Sequence, residues 1–199
     1  MEPADIQKVS ITKGDALIIV DVQEDFLPGG NLPVSEGDQV VPVFNRYIDL
    51  FQDKGLPVYA TRDWHPARHS SFKEQGGPWP KHCVVGSEGA KFAKGLKLPA
   101  SAVTISAGTE LDADGYSGFE GTDLDQRLRA QGTHRLFIGG LATDVCVLHT
   151  VRGALKLGYK VFLLTDASRA VNLQPENGSR AVAEMTNLGA RPVTLGLLD

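Results

Sequence analysis

The chain has 199 residues, of which 42% are apolar and 22% charged, with a formal net charge of −4. A chain of this length buries roughly 70% of its unfolded surface and forms a stable core without help, so a single domain spanning 1–199 is expected. The balance lacks the basic excess that phosphate-backbone binding requires, and no stretch approaches the roughly 20 apolar residues of a membrane span, which argues against nucleic-acid and membrane partners.

The opening segment MEPADIQKVS is acidic and polar where a secretory signal needs a basic and then an apolar run, so the expected location is the cytoplasm. Only two cysteines occur, Cys83 and Cys146, which suits free thiols in a reducing compartment.

In chain order, ALIIV (16–20), PVYA (57–60), VTIS (103–106), RLFIGG (135–140), KVFLLT (160–165) and RPVTL (191–195) are short apolar runs that read as six strands, mostly buried on both faces. Segments 37–55, 121–132, 143–158 and 174–189 show helical spacing and end at glycine. Such alternation predicts an α/β fold: a single-domain, doubly wound, Rossmann-like parallel six-stranded sheet with helices on both faces. The segment from Thr61 to Ala102 contains no such helix and is rich in Gly, Pro, Trp and His, the mark of a functional loop excursion.

Ligands of open parallel sheets sit beyond the carboxyl ends of the strands. That rule selects Asp21 after the first strand, Asp63 and His65 after the second, Ala107 after the third and the turn GGLATDVC after the fourth. Cys146 is expected in the first turn of a helix capped by Thr143 or Asp144, where free N–H groups and the helix dipole favour a thiolate and can hold an oxyanion. A packed structural cysteine is the alternative, and the position beside the predicted site favours a nucleophile. Asp21, leaving a buried strand, suits a general base. Glu24 and Asp25 read as solvated or loop-bonding groups, and Phe26 as a pocket wall or simple core.

TRDWHPARHSSF and GGPWPKHCV bring Asp63, His65, His69 and His82 into one loop region. Asp63, His65 and His82 fit a borderline divalent metal with open positions, whether zinc, iron or manganese. His69 is a weaker ligand candidate, and Glu74 is either an extra oxygen ligand or part of a solvated turn. Cys83 reads as a packed thiol.

Five ordered segments, DVQEDFLPGGNLPV, TRDWHPARHSSF, GPWPKHCVVGSEGA, DGYSGFEGTDL and GLATDVCV, resemble the nicotinamidase/pyrazinamidase branch of the isochorismatase-like cysteine hydrolases over nearly the whole chain. The resemblance implies metal-dependent hydrolysis of nicotinamide, or of carboxamides such as pyrazinamide, to the acid and ammonia through a cysteine thioester, a step of NAD salvage. It implies Asp21 as catalytic aspartate, Cys146 as nucleophile, and one divalent metal on Asp63, His65 and His82, zinc foremost, orienting the pyridine nitrogen. It further implies Phe26, Trp79 and Tyr116 around the ring, backbone N–H groups of Ala142 and Cys146 as oxyanion hole, and a cis peptide between Leu141 and Ala142.

The family's triad also contains a lysine at the end of the third strand, nine residues before the tyrosine of YSGF. Here that position is Ala107. Lys94 lies in the loop before the strand and is a poor substitute. Catalysis is therefore expected to be impaired, either because the chain is a Lys→Ala variant of an ordinary nicotinamidase or because it is a relative with altered chemistry. The competing functions are another isochorismatase-like amidohydrolase and a non-catalytic nicotinamide-binding relative. The sequence leaves the oligomeric state open, a homo-oligomer included.

Overall fold

In the computed structural model, which describes residues 8–199, the six apolar runs are strands of one parallel sheet. The acidic opening, residues 1–7, lies outside the described residues. The strands are β1 Asp15–Val20, β2 Val58–Asp63, β3 Val103–Ala107, β4 Arg135–Leu141, β5 Lys160–Arg169 and β6 Arg191–Val193, in the spatial order β3-β2-β1-β4-β5-β6. The chain works outward from β1 to β3, returns to β4, and then works outward the other way. The reversal between β1 and β4 opens a crevice at their carboxyl ends.

Residue alternation along these strands divides the core in two. Leu17, Ile19, Val58, Ala60 and Phe137 face α1 (Val40–Asp53), whose Val40, Phe44, Tyr47, Ile48 and Phe51 supply the packing stripe. Ala16, Ile18, Val20, Tyr59, Ile105 and Ile138 face the opposite layer, built from α2 (Leu124–Ala130), α3 (Leu148–Lys156) and α4 (Asn177–Asn187). Helices thus cover both faces, as the buried strands require. Among the described residues no helix is long and apolar enough to cross a membrane.

Strand β5 runs four residues past the apolar run KVFLLT. Its register with β4 shifts between Ile138 and Gly140, and Ser168, whose hydroxyl donates to Leu164 O at 2.8 Å, satisfies itself within the irregularity. Asp166 joins the layers: its carboxylate accepts from Tyr47 OH at 2.7 Å and from Leu195 N–H at 2.9 Å.

At the end of the sheet away from the crevice, the fully buried Asp15 carboxylate takes both the Nε (2.6 Å) and a terminal nitrogen (2.5 Å) of Arg135 and caps the N–H of Thr12. Replacing Asp15 with alanine strands the guanidinium against β1. The expected loss is about 3 kcal/mol, at the low end for a broken buried pair because Arg135 keeps some water. Denaturant melts would register it as a lower midpoint with unchanged slope.

Candidate active site

Asp21 follows β1 with a left-handed φ of +50°, which turns the chain off the sheet just where the crevice opens. Its carboxylate is buried and accepts from the Thr61 hydroxyl at 2.6 Å. Burial, reinforced by the charge of Asp63, pushes its pKa up to about 8. Its backbone N–H also donates to Thr61 O at 3.2 Å, so β2 fixes both ends of the residue.

Across the crevice, residues Thr143–Val147 form a π-helical turn that leads into α3. Val145 and Val147 N–H groups both donate to Ala142 O at 3.1 Å. Cys146 therefore sits in the π-turn, and neither Thr143 nor Asp144 caps a helix as the sequence led us to expect. Asp144 instead accepts from the N–H groups of Val171 and Asn172, both at 2.9 Å, and ties down the loop after β5. Single π-turns of this kind are frequent at functional sites. The preceding peptide, Leu141–Ala142, is cis. Burial and the charges of Asp63 and Asp21 hold the Cys146 thiol well above its ordinary pKa.

Asp63 ends β2, and the loop that follows returns His65 and His82 to it. His65 Nε2 lies 3.3 Å and His82 Nε2 3.5 Å from Asp63 Oδ2, with all three residues buried. The far nitrogens are spoken for: His65 Nδ1 meets Gly108 O at 2.9 Å and His82 Nδ1 meets Pro80 O at 2.7 Å. A carbonyl can only accept, so each Nδ1 carries a proton and each Nε2 turns its lone pair toward the carboxylate. Three donors pointing at one another repel unless a proton or a metal cation lies between them, and two imidazoles with a carboxylate suit a borderline divalent ion. A hydrogen-bond proton shared between imidazole and carboxylate meets the same need when no metal is bound. Burial pushes the Asp63 carboxyl up, but hydrogen bonds and charge from the two histidines outweigh it and hold it well below the usual range. Burial likewise pulls His65 down, and the Asp63 hydrogen bond more than reverses this.

His69 does not join this set. Its Nδ1 is bonded to the Ser71 hydroxyl at 2.7 Å and its Nε2 to Ala113 O at 2.9 Å, and its ring stacks on His65 at 4.1 Å. With both nitrogens committed it supports the His65 ring and has no lone pair to offer. Glu74 is exposed on a short 3-10 turn and also falls outside the donor set. Cys83 is a buried thiol packed in the core, as expected.

Ligating atoms of Asp21, Asp63 and Cys146 lie within 4.8 Å of one another. Asp63 and Cys146 line a pocket whose walls include Phe26, Trp79, His82, Tyr116, Ala142, Val145 and Val171, with Asp21 buried behind them. Trp79 Nε1 donates to Tyr116 OH at 2.8 Å, closing one side. Leu32 and Val34, which the sequence reading did not single out, complete the apolar wall.

Ala107 pairs in register with Asp63, and neighbours in a parallel ladder project to the same face. That face is the one that holds Tyr59, Ile105 and Cys146, so the Ala107 methyl stands on the nucleophile's side of the sheet. Arg62, the guanidinium nearest in sequence, points the other way and lies 3.7 Å over the Trp64 ring. Lys94 is exposed, with its backbone N–H on Glu24 Oε1. Three acidic groups thus share one buried cluster with no lysine or arginine bonded to them among the described residues.

Gly108 has φ +62°, and a Cβ there would come within 2.4 Å of the His65 ring. Gly108→Ala is therefore expected to displace that ring and weaken divalent-metal binding about 10- to 100-fold, read by zinc titration against a chromophoric chelator.

A parallel sheet with a buried thiol, a carboxylate and a three-residue donor set at its switch point defines a narrow class of α/β protein. The isochorismatase domain matches residues 15–196, and the chain belongs to that family. It is 43% identical to the nicotinamidase of Escherichia coli (strain K12) over 201 residues, covering 90% of this chain and 94% of the relative. Among solved structures, it is similar to the pyrazinamidase of Pyrococcus horikoshii in complex with zinc, at 50% identity and a TM-score of 0.88 over 92% of this chain and 99% of that one. It is also similar to an L. infantum protein in complex with nicotinate, at 36% identity and a TM-score of 0.89 over 96% and 98%.

Proposed function

We propose that the chain is a nicotinamidase that hydrolyses nicotinamide, and carboxamides like pyrazinamide, within a single domain spanning 1–199, and that Ala107 limits its turnover. The observation that carries the reading is that two buried clusters, Asp21 with Cys146 and His65 with His82, meet at Asp63, and that Asp63, His82 and Cys146 open onto one aromatic-walled pocket. Relatives named for nicotinamide and pyrazinamide hydrolysis, and one bound to nicotinate, support the substrate class. The zinc complex of the Pyrococcus relative supports zinc over iron or manganese. NAD salvage in the cytoplasm is the setting this activity fits.

Phe26, Trp79 and Tyr116 enclose the flat ring and exclude water from its faces, leaving the carboxamide over Cys146. Asp63, His65 and His82 would hold a divalent ion, which would supply a Lewis-acidic centre for the pyridine nitrogen. Asp21 accepts the Cys146 proton, and the thiolate adds to the carboxamide carbon, placing negative charge on its oxygen at the N–H groups of Ala142 and Cys146. The C–N bond breaks as Asp21 returns the proton, ammonia leaves, and a thioester remains. Water then gives a proton to Asp21 and adds to the thioester carbon. The C–S bond breaks, the product leaves as nicotinic acid and ionises to nicotinate in water, and the thiolate recovers its proton from Asp21.

The test pairs metal analysis with an ammonia assay. One tightly held divalent ion per chain and slow ammonia release from nicotinamide are expected. A chain that takes up no metal and releases no ammonia would return the assignment to another hydrolase of the family.

A further inference from the structure

Gln23 is completely buried two residues past Asp21, and the mechanism above gives it no task. Its carboxamide makes three hydrogen bonds, all to main chain. The Asp63 N–H donates to Oε1 at 2.8 Å, and Nε2 donates to Asp63 O at 2.8 Å and to Ala90 O at 2.9 Å. The side chain therefore grips both polar groups of one residue, Asp63, in the way a neighbouring strand would. The need for this is topological. β1 ends at Val20 and Asp21 turns away from the sheet, so on that side Asp63 has lost its strand partner, while on the other it pairs with Ala107. Both groups would otherwise be buried and unpaired, or the end of β2 would be free to twist.

The third bond carries the restraint to the far side of the donor set. Ala90 belongs to the segment that zips against residues 22–25: Glu24 N–H donates to Lys91 O, Asp25 N–H to Gly89 O and Ala93 N–H to Val22 O. In the same frame the buried Asp25 carboxylate accepts from Cys83 N–H at 2.7 Å and Asn31 N–H at 3.1 Å, and Cys83 directly follows His82. One short stretch, Gln23 to Asp25, thus holds the backbone of Asp63 and of the residue next to His82 at a fixed separation.

The geometry points to Gln23 as a positioning residue of the metal centre: its carboxamide replaces the missing strand beside Asp63 and sets that carboxylate against His65 and His82. This inference rests on the reading of Asp63, His65 and His82 as metal ligands. Partners one layer beyond the ligands commonly change metal affinity by about 10- to 100-fold when removed.

The experiment compares zinc affinity, by competition with a chromophoric chelator, and the visible absorption of the cobalt-substituted protein, in the unaltered chain, Gln23→Met and the distant Asp15→Ala. Gln23→Met keeps the volume and removes every hydrogen bond; should it not fold, Gln23→Glu, which keeps the acceptor for Asp63 N–H, provides the same comparison. Zinc binding weakened by about 10- to 100-fold with an altered cobalt spectrum is expected for the Gln23 variant. Asp15→Ala should lose stability with both readouts unchanged. Equal affinity and an unaltered spectrum in a folded Gln23 variant overturn the role, as does an Asp15→Ala chain that loses metal to the same degree. An unaltered chain that binds no zinc overturns the metal reading itself, a separate result.

Discussion

Replacing Ala107 with lysine is expected to raise ammonia release from nicotinamide by about 10²- to 10³-fold, the scale on which a single electrostatic donor of a covalent hydrolase acts. Asp21, Asp63 and Cys146 form a buried cluster with ligating atoms within 4.8 Å, and the mechanism asks it to carry more negative charge when the thiol ionises. At present the environment opposes that step twice. Burial, with Asp63 second, lifts Asp21 to about 8, and burial with the two aspartates lifts the Cys146 thiol. An ammonium on the Asp63 and Cys146 face of β3 favours both anions, and position 107 is on that face. KM and metal content should change little, because neither the aromatic walls nor the donor set is touched. No gain in a variant whose cysteine still reacts with an alkylating reagent would falsify the role given to position 107.

The pH profile provides a second reading of the same variant. A base must be ionised to act, so turnover of the present chain should climb with pH toward the region of 8, and the limb should move to lower pH in Ala107→Lys. Stability of the metal-free protein follows with a definite sign. Between the ordinary carboxylate range near about 4 and the raised value, the folded state keeps on Asp21 a proton that the unfolded chain releases. That contribution is complete below this window and is lost as pH rises through it. A lysine at 107 narrows the window.

Much of this site was legible in the sequence because its chemistry sits on strand ends, where an apolar run stops at a functional side chain. Asp21, Asp63 and the β4 turn lie where VDVQ, TRDWH and GGLATDVC put them. The parts that were not legible depend on contacts distant in the chain. His69 has the spacing of a ligand, and only the approach of Ala113 from the loop after β3 shows that its second nitrogen is committed. Asp25 was read as solvated or loop-bonding; it bonds loops, but from a buried position that depends on the later segment 83–89. Gln23 carries no local signal, since its partners, Asp63 and Ala90, lie 40 and 67 residues away. The π-turn at Cys146 escaped because helical periodicity does not distinguish one extra residue in the first turn. The tail of β5 escaped because Thr165, Asp166 and Ser168 end the apolar pattern while the ladder continues.

Cys146→Ala is expected to remove turnover altogether and, in doing so, to show whether the lysine effect acts through the thiolate. In an intact covalent hydrolase, loss of the nucleophile costs on the order of 10⁶ in turnover, and groups that act as one unit do not add. Ala107→Lys should therefore gain its two to three orders of magnitude only when Cys146 is present, and nothing in a Cys146→Ala background, a coupling that a four-member cycle of kcat measures directly. Nicotinamide binding should survive in Cys146→Ala, since Phe26, Trp79 and Tyr116 keep their places and removing one buried thiol leaves the Asp63, His65 and His82 donors intact. Calorimetric titration with nicotinamide would show this retention. A lysine gain that persists without the thiol would mean that the cation acts on water or substrate directly, and the covalent route through Cys146 would have to be abandoned.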